Sequence, residues 1–174
     1  GWRRPRSGSQ GGRPVQWESE ALLLGLKPHG ESSAVIEVMT PEFGRHLGLL
    51  KGARSRRLQP TLQPGNTLLV NWKARLETHL GFCTVELHTA RAARLMEGVA
   101  GLYGVQIVAG LLRYLAEREA HPGLYRAAEA LLDNLGDALT AGALIARFEV
   151  MLLDELGFGL DLSRCAATGN CSIT

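Results

Sequence analysis

The sequence predicts an α+β protein, in which a small five-stranded β-barrel is followed by an all-helical domain. Three observations support this fold class. Residues 17 to 90 contain short apolar or alternating segments separated by Gly and Pro turn signals, which is typical of strands. After Ala90 the apolar residues recur at spacings of three and four, which is typical of helices. A chain of 174 residues with 45% hydrophobic content can bury a core in each part. We therefore predict a barrel domain at 17–90 and a helical domain at 91–174.

The barrel prediction depends on five strand segments and on the long loop that interrupts them. A polar loop at 52–66 separates the third segment from the fourth. Closure into a barrel removes the exposed edges of so short a sheet, so a closed or nearly closed barrel is expected. The five segments are EALLLGLK (20–27), SAVIEVMT (33–40), RHLGLLK (45–51), TLLVNWKAR (67–75) and GFCTVELHT (81–89).

The helical half contains three stretches with helical periodicity. Four glycines weaken the first of these by about 1 kcal/mol each relative to alanine, which predicts a break or a close helix contact. The third stretch is apolar almost all round at 143–153, which predicts a central, buried helix. The four glycines are Gly98, Gly101, Gly104 and Gly110.

Charge is distributed unevenly along the chain. Residues 1–100 contain 14 Lys and Arg against 8 Asp and Glu, a net +6, whereas residues 101–174 contain 5 against 9, a net −4. Four of the first-half arginines lie in a Gly/Ser/Pro-rich segment at 1–16, which we predict to be a disordered leader. Without that leader the first-half count is 10 against 8, so local clustering of charge matters more than its total.

Targeting signals and disulfides are not indicated. The apolar runs are much shorter than the roughly 20 residues that a membrane span needs, and no apolar signal segment follows the N-terminal charges. We therefore expect a cytoplasmic protein. The cysteines are Cys83, Cys165 and Cys171, an odd number that favours reduced thiols.

The strongest cluster of positive charge follows the third predicted strand. Arg45 and Lys51 share one face of that strand, about 20 Å apart at ~3.3 Å per residue. Guanidinium groups in the following loop extend the cluster and suit phosphate oxygens. A solvated loop that is basic only for solubility remains the alternative. The candidate phosphate-binding residues are Arg45, Lys51, Arg54, Arg56 and Arg57.

Aromatic residues decide whether such a surface also stacks bases. Phe43 lies at a turn beside the basic strand, and we expect it to be exposed and to contribute to nucleic-acid binding. Trp72 shares the parity of Leu68 and Val70, which predicts a core position, and we expect Phe82 to be similar.

Catalytic and metal sites are weakly indicated. Cys165 and Cys171 are separated by five residues, whereas paired zinc ligands usually have two to four between them. Cys83 lies within a strand and is most simply a small buried apolar residue. The histidines form no recognisable pair with a nucleophile, and GARS lacks the glycine and Lys-Ser/Thr of a P-loop. We therefore expect a protein that is not an enzyme and has no cofactor.

Two segments together resemble a known family. HGESSAVIEVMTPEFGRHLGLLKGARSRRLQPTLQPGN, at 29–66, resembles the N-terminal domain of the RecO family of bacterial DNA-repair and recombination-mediator proteins. Its GESS turn, the GR before a strand, and KGARS followed by LQP carry the resemblance. The segment from Phe148 to Gly169 is similar to the second domain of that family.

The resemblance implies an oligonucleotide-binding (OB-fold) barrel that binds single- and double-stranded DNA and anneals complementary strands. It also implies partnership with the RecR protein and with single-stranded-DNA-binding protein, help in loading the RecA recombinase, and association with the nucleoid during repair. The five cations from Arg45 to Arg57 are the positions to which DNA contacts carry over. A protein-interaction adaptor and an RNA-binding barrel remain the alternatives.

The C-terminal part departs from the family pattern. Many members continue beyond the position of Cys165, some with a four-cysteine zinc site, whereas this chain ends at GNCSIT. We therefore expect an incomplete helical domain. Cys165 is the only position that matches a zinc ligand, which leaves zinc unsupported here.

Overall fold

A computed structural model describes residues 15–76, 79–161, 163–164 and 167–169. Five strands come first, as predicted, and helices follow. The strands are β1 (Val15–His29), β2 (Ser33–Thr40), β3 (Gly44–Leu50), β4 (Thr67–Ala74) and β5 (Gly81–Thr89). The helices are α1 (Ala92–Leu95), α2 (Val99–Leu112), α3 (Pro122–Asp133) and α4 (Ala138–Glu155).

The five strands form a closed barrel in the order β1-β2-β3-β5-β4. The first strand closes it, because its 15 residues pair with β4 through Leu22 and with β2 from Leu22 onward. A register shift between Leu23 and Gly25 bends the strand between its two partners. Among the strand pairings of the described barrel, β3 and β5 run parallel and the others run antiparallel. The α+β prediction, with a barrel before the helices, is confirmed.

The N-terminal boundary differs by two residues from the prediction. Val15 and Gln16 were assigned to the leader, but they pair with Ala74 and Lys73 of β4 and so belong to the barrel. The rest of the predicted leader, 1–14, lies outside the described residues.

Trp72 organises the barrel core. Its side chain is 1% exposed, which confirms the core prediction, and its indole N–H donates to the carbonyl oxygen of Leu47 at 3.0 Å. The ring passes so close to β5 that a Cβ on Gly81 would lie 2.1 Å from it. Gly81 therefore has to face inward, and the alternation of a strand then places its neighbour Phe82 on the outer surface.

The helices pack into a second apolar core. The first helical stretch is broken between α1 and α2, as its glycines predicted, with Gly98 at the start of α2. The prediction for the third stretch is wrong, because α4 is not the central helix. Only Ala141, Phe148 and Leu152 of α4 are buried, whereas α3 buries five side chains. One face of α4 packs on α2 and α3, whereas other positions of the same helix face solvent. Leu139, near its start, is 86% exposed.

Within the part of the chain that the structure describes, none of the helices has the length and apolar character that crossing a membrane requires.

A buried polar junction connects the barrel to the helices. The Asn66 amide, 1% exposed, accepts hydrogen bonds from the backbone N–H groups of Arg91 and Ala92 at 2.8 and 2.9 Å. The Arg91 guanidinium contacts Asp133 at 2.6 Å and Glu129 at 3.4 Å, both on α3. Burial lowers the pKa of Arg91, but Asp133 and Glu129 outweigh that effect and leave it above its ordinary value. The guanidinium therefore stays charged and holds α3 against the barrel.

Candidate nucleic-acid interface

The basic loop after β3 is a packed segment. Gly52 begins it with φ of +68°, a left-handed conformation that favours glycine. Turn hydrogen bonds follow, including Leu62 N–H to Leu58 O at 2.9 Å. Ala53 and Leu62 are only 5% and 4% exposed and belong to the barrel core. Because these apolar side chains point from the loop into the barrel core, the charged residues between them are directed outward.

Three arginines occupy the outer surface of this loop. Arg54 is tied to the turn between β1 and β2: its Nη1 donates to Glu31 O at 3.0 Å and its backbone N–H donates to Ser32 O at 3.3 Å. Arg56 and Arg57 are exposed. The loop therefore presents guanidinium groups to solvent on a backbone that is fixed on both sides.

Lys51 joins this cluster to an exposed aromatic ring. Its Nζ lies 5.3 Å from the centroid of the Phe82 ring, within the range of a cation–π contact. The prediction that Phe82 lies in the core is wrong, because its side chain is 48% exposed. The reason is the requirement for Gly81 to face Trp72, which the parity of β4 alone does not reveal.

Phe82 belongs to a row of side chains that runs around the barrel from strand to strand. Each member is the cross-strand partner of the next, and both end members are exposed lysines. Neighbouring strands lie about 4.8 Å apart, so the row spans the outer surface of all five strands. The row consists of Lys27, Val35, Leu49, Phe82 and Lys73, on β1, β2, β3, β5 and β4 respectively.

The sequence reasoning did not select the two terminal lysines of this row. The alternation of buried and exposed positions would have identified Lys73 as outward-facing, because Val70, Trp72 and Ala74 of β4 are buried. Lys27 follows the register shift in β1, where simple alternation fails. Its place beside Val35 depends on the pairing of β1 with β2, which no local pattern specifies.

Arg45 is already engaged by protein groups. Its side chain is 14% exposed and its Nη1 lies 2.8 Å from Glu37 Oε1. Its Nη2 donates to the carbonyl oxygen of Leu115 at 3.2 Å, and Glu117 lies 3.6 Å from Nη1. Arg113 donates to the other oxygen of Glu37 at 2.7 Å. Arg45 therefore attaches the segment after α2 to β3, and its contact with DNA stays a prediction.

Phe43 lies at the other end of β3 from the basic loop. The prediction that it is exposed is wrong: it is half-buried, and its ring stacks on Trp17 with 4.9 Å between the centroids. The backbone N–H of Phe43 donates to Thr40 Oγ1 at 2.9 Å, which folds the turn over the end of the barrel. Along an extended strand Phe43 is about 25 Å from Lys51. Its role in DNA binding stays a prediction.

The six predicted residues therefore separate into two groups. Lys51, Arg54, Arg56 and Arg57 lie together at the basic loop, and Phe43 and Arg45 lie at the opposite end of β3. We call the first four the basic cluster. The basic cluster and the Phe82 row share one region of the surface, because Lys51 contacts Phe82.

The described residues contain no cluster of three or more His, Cys, Asp or Glu side chains that could hold a metal ion. Cys165 and Cys171 lie outside those residues. The prediction that Cys83 is buried is confirmed, with 6% exposure, and burial raises the pKa of its thiol to about 12. This thiol is therefore protonated at neutral pH.

Comparison with known proteins gives matches along nearly the whole chain. Residues 15–91 match the family described as Recombination protein O N terminal, and residues 97–173 match Recombination protein O C terminal. The DNA repair protein RecO of Mesorhizobium japonicum is 54% identical over 155 residues, which cover 89% of this chain and 61% of the relative. The DNA repair protein RecO of Rhizobium etli is 55% identical over 155 residues, covering 89% and 60%.

The chain spans about three fifths of the length of the curated relatives that it matches. The two family matches meet near the junction between β5 and α1, where the barrel ends and the helices begin. The barrel carries the first match and the helices carry the second, and the chain belongs to the RecO family.

Proposed function

We propose that this protein acts in DNA repair by binding DNA through the sugar-phosphate backbone, with the basic cluster as the main contact. One observation carries the proposal: the arginines of the loop are exposed while the loop itself is anchored by buried Ala53 and Leu62. A fixed backbone lowers the entropy that is lost when flexible side chains bind a polyanion. Contacts of this kind do not distinguish one base sequence from another.

Salt dependence tests this proposal directly. Four phosphate contacts on a single strand predict a slope of log affinity against log salt of about −2.8, from roughly −0.7 per contact. If Arg45 also binds a phosphate, the expected slope is about −3.5. Replacing Arg54, Arg56 and Arg57 with Ala together leaves Lys51 and lowers the magnitude of the slope to about 0.7. An unchanged slope and affinity in this triple variant would refute the assignment of the loop.

A matched triple variant separates local contacts from total charge. Arg126, Arg147 and Arg164 are exposed residues of the helical half, and replacing them with Ala removes the same three charges. The net charge falls from +2 to −1 in either triple variant. We expect the helical variant to keep the wild-type slope. Equal losses in the two variants would mean that only the overall charge attracts DNA.

Annealing of complementary strands follows from this mode of binding. Backbone contacts leave base edges free, so a second strand can pair with a strand that the protein holds, while cations offset the repulsion between the two backbones. We propose that the protein binds single- and double-stranded DNA, anneals strands in this way and assists loading of the RecA recombinase, without catalysing a reaction. Annealing by pure protein should therefore need no nucleotide, and hydrolysis of ATP or of DNA by that protein would contradict the proposal.

Protein partners are proposed for the helical domain. RecR and single-stranded-DNA-binding protein are the candidates, and RecA would be reached indirectly. A groove of about 290 Å³ between α3 and α4 supports this, because Leu131, Leu144 and Met151 line it and Arg147 lies beside them. Substituting Met151 with Asp should weaken partner binding and leave DNA affinity unchanged. If this variant lost DNA affinity but kept its affinity for the partner, the groove would not be the partner-binding site.

The adaptor alternative is supported by the uncharged helix α2, which exposes several apolar side chains. Partner binding without any DNA affinity at low salt would favour that alternative. An RNA-binding barrel is separated by competition: phosphate contacts alone give equal affinity for DNA and RNA, whereas contacts to the 2′-hydroxyl favour RNA. The exposed apolar residues of α2 are Val99, Leu102, Tyr103 and Ile107.

A further inference from the structure

We propose that Phe82 is a stacking platform for one unpaired nucleobase, so that the outer face of the barrel binds single strands by a contact that duplex DNA lacks. This inference rests on the proposed function, because it assumes that DNA lies on the basic cluster. It adds Phe82 as a contact residue and a preference for single strands over duplex DNA. Contacts to the DNA backbone alone would explain neither the contact nor the preference.

The position of Phe82 is imposed by the core beneath it. Gly81 and Cys83 face inward, and the Trp72 ring fills the space where a side chain at Gly81 would lie. Phe82 must therefore stand on the outer face, where 48% of its side chain is exposed. The paired strands of the closed barrel fix the backbone at Phe82 and so keep its side chain on the outer face, which favours stacking at a defined place.

The neighbours of the ring are suited to a nucleotide. Lys73 is the cross-strand partner of Phe82 on β4, and Leu49 is its partner on β3. Lys51 follows that strand and places its ammonium over the ring. An aromatic face bordered on two sides by cations offers a base a surface to stack on and offers the adjoining phosphates counter-charges. A single exposed aromatic residue is common on any surface, but this one lies between two lysines and beside the basic cluster.

Relative interaction strength favours displacement of Lys51 by a base. Stacking of one base on an aromatic side chain is a stronger interaction than an exposed cation–π contact. The displaced ammonium is then free to contact a phosphate. Binding of a single strand therefore replaces one weak contact by a stronger stack and a charge-assisted contact.

The experiment compares three ligands of equal length: an oligothymidylate, the same backbone with abasic sites, and a blunt duplex. Phe82→Ala should weaken binding of the oligothymidylate by about 5- to 150-fold, corresponding to ~1–3 kcal/mol. Its affinity for the abasic strand and for the duplex, and its salt slope, should stay at the wild-type values. Phe82→Trp should restore the affinity for the oligothymidylate.

Leu87→Ala is the matched control. Leu87 lies on the same strand and is 45% exposed, close to the value for Phe82, but it is aliphatic. We expect this variant to bind all three ligands as the wild type does. Thermal unfolding of both variants, measured in parallel, identifies any general loss of folded protein.

The outcomes distinguish this inference from the proposed function. Equal weakening of all three ligands by Phe82→Ala would overturn the stacking role, as would unchanged affinity for all three. In the second case the ring and its apolar neighbours would be better explained as a contact for a protein. Failure of the wild type to bind any of the ligands at low salt would overturn the proposed function itself.

Discussion

Asn66 allows the connection between the basic loop and the helical domain to be tested by one substitution. Its Oδ1 accepts from the N–H groups of Arg91 and Ala92, and its Nδ2 donates to the carbonyl oxygens of Pro60 and Thr61 at 3.2 and 3.1 Å. The side chain is 1% exposed, so water does not compete for these groups. Asn66→Ala leaves two buried N–H donors and two partly buried carbonyl acceptors without these partners.

The expected loss follows from those four groups. An unsatisfied buried polar group costs about 1–3 kcal/mol, and carbonyl oxygens with a second partner or an incoming water cost less. We therefore expect Asn66→Ala to lower the free energy of unfolding by about 3–5 kcal/mol. At ~2–4 °C per kcal/mol for a chain of this size, Tm should fall by about 6–20 °C.

Two further variants make the measurement decisive. Asn71→Ala changes the same residue type on β4, where the side chain makes only long surface contacts of 3.4 and 3.5 Å, so a loss below about 0.5 kcal/mol is expected. Asn66→Asp keeps both acceptor contacts at the start of α1 but turns a carboxylate oxygen toward the carbonyl oxygens of Pro60 and Thr61, so its loss should also exceed that of Asn71→Ala. Urea unfolding monitored by tryptophan fluorescence gives all three values. The reasoning is refuted if Asn66→Ala costs no more than Asn71→Ala.

Three other substitutions or modifications test separate parts of the fold. Gly44→Ala should destabilise the protein by about 2–4 kcal/mol, because at a φ of +70° its Cβ would lie 2.0 Å from Glu119 O. The control Gly30→Ala, at a φ of +65° with nothing within 4 Å of its Cβ, should cost only about 1 kcal/mol. Equal losses on urea unfolding would mean that the contact with Glu119 is unimportant. Arg45→Ala should lower stability by about 1–2 kcal/mol and leave the salt slope of DNA binding unchanged, since its guanidinium is engaged by Glu37; a smaller slope would instead assign it a phosphate. Because the pKa of Cys83 is about 12, only about one thiol in 10⁴ is ionised at pH 8. Labelling of Cys83 by iodoacetamide should therefore be slow in the folded protein and should accelerate with urea. Rapid labelling without urea would show that the barrel opens.

Local patterns predicted the strands well because each strand has its own alternation and turn signals. The observed β2, β3, β4 and β5 agree with the predicted segments to within one residue at each end. The start of β1 was predicted too late, since polar residues such as Gln16 and Glu18 carry no strand signal until their pairing with β4 is known. In β1, therefore, local sequence specifies the apolar part of the strand, whereas pairing with β4 specifies where the strand begins.

The errors on aromatic residues and on α4 have a common cause, which is that burial depends on tertiary contacts. Phe82 has the same sequence environment as a core residue, but the size of the Trp72 ring at Gly81 fixes its direction. Phe43 was assigned to solvent because it lies at a turn, yet that turn folds over Trp17. The apolar character of α4 predicted burial on all sides, and only the packing of α2 and α3 against one side shows otherwise.

The basic loop and the helical domain cannot be treated as independent parts, because the same side chains hold both. Asn66 joins the end of the loop to the start of α1, which supplies two N–H groups to it, and Arg91 keeps that start in place through Asp133 and Glu129. Any ligand that stabilises the contact of α3 with Arg91 must therefore favour the ordered loop. If DNA binds the loop as proposed, linkage requires that it favour the same contact to an equal extent in free energy. The junction would then couple a protein partner on the helices to DNA on the barrel, by an amount bounded by the stability that Asn66 contributes.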